Sequence, residues 1–78
     1  MLYVLADVEQ ERFAQHEKWG EQNHHPADWL LILMEEVGEA SKTWIECADL
    51  GLVKEPMRSE FIQIAAVAVA AVEYLDRG

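Results

Sequence analysis

The most restrictive feature of this chain is a long apolar segment near its C-terminal end. Between residues 61 and 72 the only polar residue is Gln63. A helix that is apolar on nearly every side must be buried on nearly every side. The chain has 78 residues, and the two other helices that such a length allows cannot enclose a third one. We therefore expect a second copy of the chain to cover part of this segment, which predicts a homo-oligomer.

Two prolines divide the chain into three helical segments. The first segment runs from about Leu2 to Lys18 without Gly or Pro and ends at Trp19 and Gly20. A polar loop without periodicity leads to the second segment, Pro26–Ala48, and the third runs from Pro56 to Asp76. The sequence thus predicts an all-α protein with three main helices and a single domain over residues 1–78.

Composition excludes disulfide bonds and several classes of partner. Disulfides are excluded because Cys47 is the only cysteine, and a lone thiol fits a reducing cytoplasm. With 15 acidic against 6 basic side chains, the protein should repel nucleic acids and anionic membranes. No apolar run approaches the roughly 20 residues of a membrane span. A nucleotide remains a possible ligand, since divalent cations can stand between carboxylates and phosphates.

Two pairs of oxygen-bearing side chains suggest a metal site. Glu36 and Glu39 share one face of the second helix beside its apolar stripe, whereas Glu35 points more nearly towards solvent. Glu60 and Gln63 have the same spacing on the third helix, and two such pairs can build a metal site between helices. Glutamates on helices are more often a solvated face, but Glu60 and Gln63 interrupt a helix that otherwise looks buried. A buried carboxylate needs a cation, and hard oxygen ligands favour Mg²⁺, with Mn²⁺ possible.

The same residues resemble a known family. The sequence E-E-V-G-E at residues 35–39 is followed after 20 residues by E-F-I-Q at residues 60–63. This pattern is similar to the E-E-x-x-E … E-x-x-D signature of MazG-type nucleoside triphosphate pyrophosphatases. The upstream run from Glu11 to His24 and the segment Phe61–Glu73 also resemble short MazG-like proteins, so the likeness covers nearly the whole chain.

The resemblance implies a fold, an activity and roles for residues. It implies a four-helix-bundle core formed by two chains, in dimers or tetramers. It also implies Mg²⁺-dependent hydrolysis of a nucleoside triphosphate to the monophosphate and pyrophosphate. Glu36, Glu39 and Glu60 would bind the metal, and Glu35 would lie outside the ligand shell or position water. Gln63 occupies the fourth ligand position, where the family has Asp, so the site lacks one negative charge.

Two other functions compete with this one. Gln63 is compatible with a non-catalytic helical oligomer that binds a nucleotide or a protein partner, and a purely structural dimer would bind neither metal nor nucleotide.

The loop after the first helix is the predicted region of base recognition. Trp19 could stack on a base, and Gln22, Asn23 and His24 could form hydrogen bonds to its edges. Lys18 adjoins the loop and is the preferred candidate for phosphate contact. Trp19 could instead pack in the core against one of the other two tryptophans.

Overall fold

Three α-helices make up almost all of the protein. The computed structural model describes residues 2–78 and contains α1 (Leu2–Trp19), α2 (Pro26–Cys47), a short 3₁₀ helix (Ala48–Leu50) and α3 (Lys54–Arg77). The prediction of an all-α fold is confirmed, because residues 2–78 contain no strand. Met1, which the single-domain prediction includes, lies outside the described residues.

Local chemistry explains where the first helix ends and the second begins. Gly20 adopts a left-handed φ of 71° and donates its N–H to the carbonyl of His16 at 2.7 Å, which ends α1 at the predicted place. Pro26 is the first residue of α2, where its missing N–H costs nothing. The Nδ1 atom of His25 accepts a hydrogen bond from the N–H of Ala27 at 3.1 Å and caps this helix.

Three predicted boundaries differ slightly from the structure, and one of them is the end of α3, at Arg77 and not at Asp76. Helix α2 ends one residue earlier than predicted, because Ala48 opens the 3₁₀ helix, which stops at Gly51 with a φ of 69°. Helix α3 begins at Lys54, two residues before the predicted start at Pro56. Pro56 is therefore in the first helical turn, where backbone N–H groups have no partner within the helix and proline is tolerated.

Helix α1 runs parallel to α3 along one side of it. Asp7 accepts a hydrogen bond from Arg58 at 2.6 Å, and further along both helices Arg12 donates to Glu73 at 2.5 Å. Because residue numbers rise in the same direction on both sides of these ion pairs, the two helices point the same way. These pairs tie α1 to the first and to the last part of α3.

Helix α2 runs antiparallel to α3 along another side. The hydroxyl of Thr43 donates to Oε1 of Glu60 at 3.2 Å, and at the other end the ring of Trp29 lies 6.4 Å from that of Tyr74. Helix α3 is thus the central element, because both other helices pack on it. This arrangement places the acidic stretch of α2 opposite the start of α3.

The buried core of a single chain is small. Only Trp29, Ala40 and three residues of α3, Ala66, Val67 and Ala70, are buried apolar residues within the described part of the chain. The predicted α2 stripe is buried only in part, since Trp44 on it is 53% exposed. Much of the apolar surface of α3 is also exposed, notably Phe61, Val69, Val72 and Leu75. Coverage by a second copy stays a prediction.

Within residues 2–78, no helix combines the length and the hydrophobicity that crossing a membrane requires.

Candidate active site

Three of the predicted carboxylates come together between α2 and α3. Glu36, Glu39 and Glu60 each offer a carboxylate oxygen, and these atoms all lie within 4.8 Å of one another. Glu36 and Glu39 are on adjacent turns of α2, and the antiparallel packing brings Glu60 of α3 to the same level. The hydrogen bond from Thr43 holds the Glu60 carboxylate in place. We call these three residues the carboxylate cluster.

The protein itself leaves the negative charge of this cluster incompletely compensated. Within residues 2–78, Oε2 of Glu36 and Oε2 of Glu60 are buried without a hydrogen-bond partner. Burial raises the pKa of Glu36 above its usual range, and the negative charges of Glu39, Glu60, Glu11 and Glu35 raise it further. A cation bound here would satisfy the two oxygens and remove the repulsion.

The cluster has the size and chemistry that a hard divalent cation needs. Two oxygens on opposite sides of one Mg²⁺ ion are about 4.2 Å apart, since each lies about 2.1 Å from the metal. Carboxylates whose oxygens are within 4.8 Å of one another can therefore share one ion after a small adjustment. Gln63 lies one helical turn after Glu60 and is half-buried, and its amide oxygen is neutral.

The sequence interpretation missed the contribution of Glu11. This half-buried residue of α1 was seen only as part of the family resemblance, yet its charge acts on Glu36. Glu11 precedes the buried Gln15 by four residues, so both occupy the same face of α1. The sequence offers only a spacing, in which an acidic residue precedes an amide by one helical turn. The apolar pattern of α1 is too loose to show that this face is the inner one.

A cavity of about 290 Å³ adjoins the carboxylate cluster. Of the four residues that the sequence predicts to recognise a base, Trp19, Gln22 and His24 line it, and Asn23 does not. Glu36 belongs both to the cluster and to the cavity wall, so the two regions are contiguous. Glu35 lines the cavity too, but it is not one of the three converging carboxylates.

Two further polar residues line this cavity, and the sequence interpretation did not select them for binding. Gln15 is 8% exposed, and Trp29 is 5% exposed and packs its ring edge-to-face with His24 at 5.0 Å. Within the described chain, Nε1 of Trp29 and Nε2 of His24 are buried without a hydrogen-bond partner. Periodicity assigned Trp29 to the apolar stripe of α2, which explains its burial but not its unpaired N–H.

The remaining predicted residues lie at the edge of this region. Lys18 is exposed and places its Nζ 4.9 Å from the centre of the Trp19 ring, outside the cavity lining. Its role in phosphate contact stays a prediction. Trp19 itself is 52% exposed and does not belong to the buried core, so the alternative of a core tryptophan is wrong for the single chain.

Comparison of this chain with protein-family models, with curated proteins and with solved structures finds no match.

Proposed function

We propose that this protein is a Mg²⁺-dependent nucleoside triphosphate pyrophosphohydrolase of the MazG-like type. It would hydrolyse a canonical or modified nucleoside triphosphate to the monophosphate and pyrophosphate, as enzymes that clean the nucleotide pool do. The observation that carries the proposal is the contact between two regions through Glu36: a carboxylate cluster suited to a metal and a cavity suited to a base. A triphosphate whose base occupied the cavity would extend towards the cluster.

The residues of the site have distinct roles in this proposal. Glu36, Glu39 and Glu60 hold Mg²⁺ or Mn²⁺, and the amide oxygen of Gln63 completes the set from α3. The bound metal would offset phosphate charge and lower the pKa of an attacking water. Glu35, which lines the cavity but lies outside the cluster, would accept a hydrogen bond from that water. Thr43 keeps the Glu60 carboxylate oriented.

Pyrophosphate release tests the proposal directly. Purified protein is incubated with Mg²⁺ and a panel of canonical and modified ribo- and deoxynucleoside triphosphates. We expect release from at least one of them, and its loss in Glu36→Gln and Glu60→Gln. Glu46→Gln is the matched control, because it removes the same charge from an exposed position of α2. Background release for every substrate, or full activity in Glu60→Gln, would refute the proposal.

We also propose that the active form is a homodimer or homotetramer. Exposed apolar side chains line a groove between the second half of α2 and the start of α3, among them Trp44, Ile45 and Phe61. Such a surface on so small a protein favours association. Sedimentation analysis should show an oligomer, and Phe61→Glu should shift it towards the monomer. A monomeric wild-type protein at micromolar concentration would contradict this part of the proposal.

One observation favours a second function. Gln63 gives the site one negative charge fewer than the family pattern, as expected for a protein that binds a nucleotide or a protein partner without hydrolysis. Calorimetry with a non-hydrolysable triphosphate, alongside the pyrophosphate assay, separates the two functions. Binding without turnover by the wild-type protein would favour the non-catalytic oligomer.

A further inference from the structure

The cavity beside the carboxylate cluster contains unpaired hydrogen-bonding groups, and one of them, the indole N–H of Trp29, was not assigned to any ligand by the sequence patterns. A buried polar atom without a partner destabilises the folded state, and native proteins keep few of them. Four such atoms are found in residues 2–78, and three of them belong to residues that line this cavity: His24, Trp29 and Glu36. The oxygen of Glu36 is assigned to the cation, and the two remaining atoms, on Trp29 and His24, indicate a further ligand in this space.

The size of the cavity limits that ligand. Pockets for small molecules generally have volumes of about 300–1,000 Å³, and this one, at about 290 Å³, is at the lower limit. It suits one heterocyclic ring system and not a whole nucleotide. Trp19, half exposed at the rim, supplies a flat aromatic surface for such a ring.

The polar groups limit the chemistry of the ligand. An indole Nε1 can only donate a hydrogen bond, so the group facing Trp29 must be an acceptor. The Nε2 atom of His24 can donate or accept, depending on the tautomer. Gln15, which is more than nine-tenths buried, adds an amide that offers both a donor and an acceptor. A planar ring with an acceptor next to another polar group matches this set.

We propose that Trp29 is a specificity-determining residue whose indole N–H donates to a ring nitrogen or carbonyl oxygen of a nucleobase bound in this cavity. The inference rests on the proposed function, because it names the part of the substrate that this region binds. The base lies between Trp19 and the wall formed by Trp29 and His24. Gln15 contacts its edge, and the attached sugar and phosphates leave the cavity past Glu36.

The neighbouring apolar groove is a weaker candidate for the same ligand. It lies on another side of Trp29, with Pro26, Leu30 and Leu33 among its lining residues. The described residues that line it have largely apolar side chains. A planar polar ring would therefore find few hydrogen-bond partners there. The cavity with the unpaired atoms is the better site for a base.

Nuclear magnetic resonance of the indole groups tests the inference without any metal. The three tryptophans give three indole N–H signals, and Trp19→Phe and Trp44→Phe, both at exposed positions, identify the signal of Trp29 by elimination. Canonical ribo- and deoxynucleosides, with guanine supplied as its more soluble 5′-monophosphate, are added in EDTA to about 10 mM, which detects millimolar affinity. We expect at least one of them to move the Trp29 proton downfield, as a new hydrogen bond does.

A matched pair of variants gives a second measurement. Trp29→Phe keeps an aromatic ring but removes the N–H, and it should weaken binding of the same probe about tenfold. Trp44→Phe makes the same change in the separate groove of α2 and should leave the affinity unchanged. If Trp29→Phe fails to fold, the signal of the wild-type protein still decides the question.

The outcomes separate this inference from the proposed function. An unmoved Trp29 signal with every probe overturns the inference, even if the pyrophosphate assay is positive. A moved Trp29 signal supports it, and pyrophosphate release from the same preparation then decides separately whether the protein hydrolyses what it binds. Equal weakening by Trp29→Phe and Trp44→Phe would also overturn it.

Discussion

Replacement of Glu36 by glutamine should make the metal-free protein more stable while removing its response to Mg²⁺. Glu36 and Glu60 place carboxylate oxygens within 4.8 Å of each other. Two unit charges at that distance repel by about 3.5 kcal/mol at an effective dielectric constant near 20, and by about 1 kcal/mol in bulk water. Because both side chains are only half-buried, solvent reduces the repulsion, and we expect Glu36→Gln to relieve about 1–3 kcal/mol.

The predicted gain is large enough for thermal unfolding to detect. For a domain of this size, 1 kcal/mol changes the melting temperature by about 4–8 °C. In EDTA at pH 7, Glu36→Gln should therefore melt at least about 4 °C above the wild-type protein at equal protein concentration. Added Mg²⁺ should raise the melting temperature of the wild type but not that of the variant. Glu46→Gln, an exposed control on the same helix, should behave like the wild type in both buffers.

The pH dependence of this difference follows from the raised pKa of Glu36. A carboxyl group whose pKa is higher in the folded than in the unfolded state binds more protons when folded. The free energy of unfolding therefore falls as the pH rises from the ordinary value of 4.5 through the raised pKa. The advantage of Glu36→Gln should be present at pH 7, shrink as the pH falls through the raised pKa, and be absent below pH 4.5. A variant that melts below the wild type in EDTA, or that keeps the full Mg²⁺ response, would refute the electrostatic reasoning.

Three further variants test the charge of the site and the fold. Gln63→Asp adds the missing carboxylate, so calorimetry should show Mg²⁺ binding about tenfold tighter, while the metal-free protein should melt at a lower temperature. Glu11→Gln removes a charge that acts on Glu36, and the same titration should show roughly threefold weaker Mg²⁺ binding; unchanged affinity would mean that Glu11 is too far away to matter. Gly20→Ala places a side chain at a φ of 71° and should lower the free energy of unfolding by about 1 kcal/mol in urea titrations, without changing Mg²⁺ affinity.

Features that depend on neighbours along the chain could be predicted from the sequence. Gly20 ends α1 and Pro26 begins α2 because both effects arise within a few residues of backbone. The approach of Glu36 and Glu39 to each other follows from helical spacing alone. Their approach to Glu60 depends on the antiparallel packing of α2 on α3, which periodicity does not show; the family resemblance implied only that the three residues bind one metal site.

Features that depend on distant contacts could not be predicted. Periodicity places Trp29 in an apolar stripe, but it does not show whether the indole N–H has a partner. That depends on His24, in a loop without periodic pattern, which packs edge-to-face against the ring. The burial of Gln15 likewise depends on which face α1 turns towards α3. Ion pairs such as the one between Asp7 and Arg58 join those two helices. The sequence does not show which charged residues form a pair.

The position of α1 changes how the missing charge at Gln63 should be interpreted. The ion pair between Asp7 and Arg58 fixes the two parallel helices side by side. Glu11 lies one turn after Asp7 on the same face of α1, and its charge acts on Glu36. The negative charge of the proposed metal site therefore comes from all three helices, and the neutral Gln63 leaves that site less short of charge than the motif on α2 and α3 suggests.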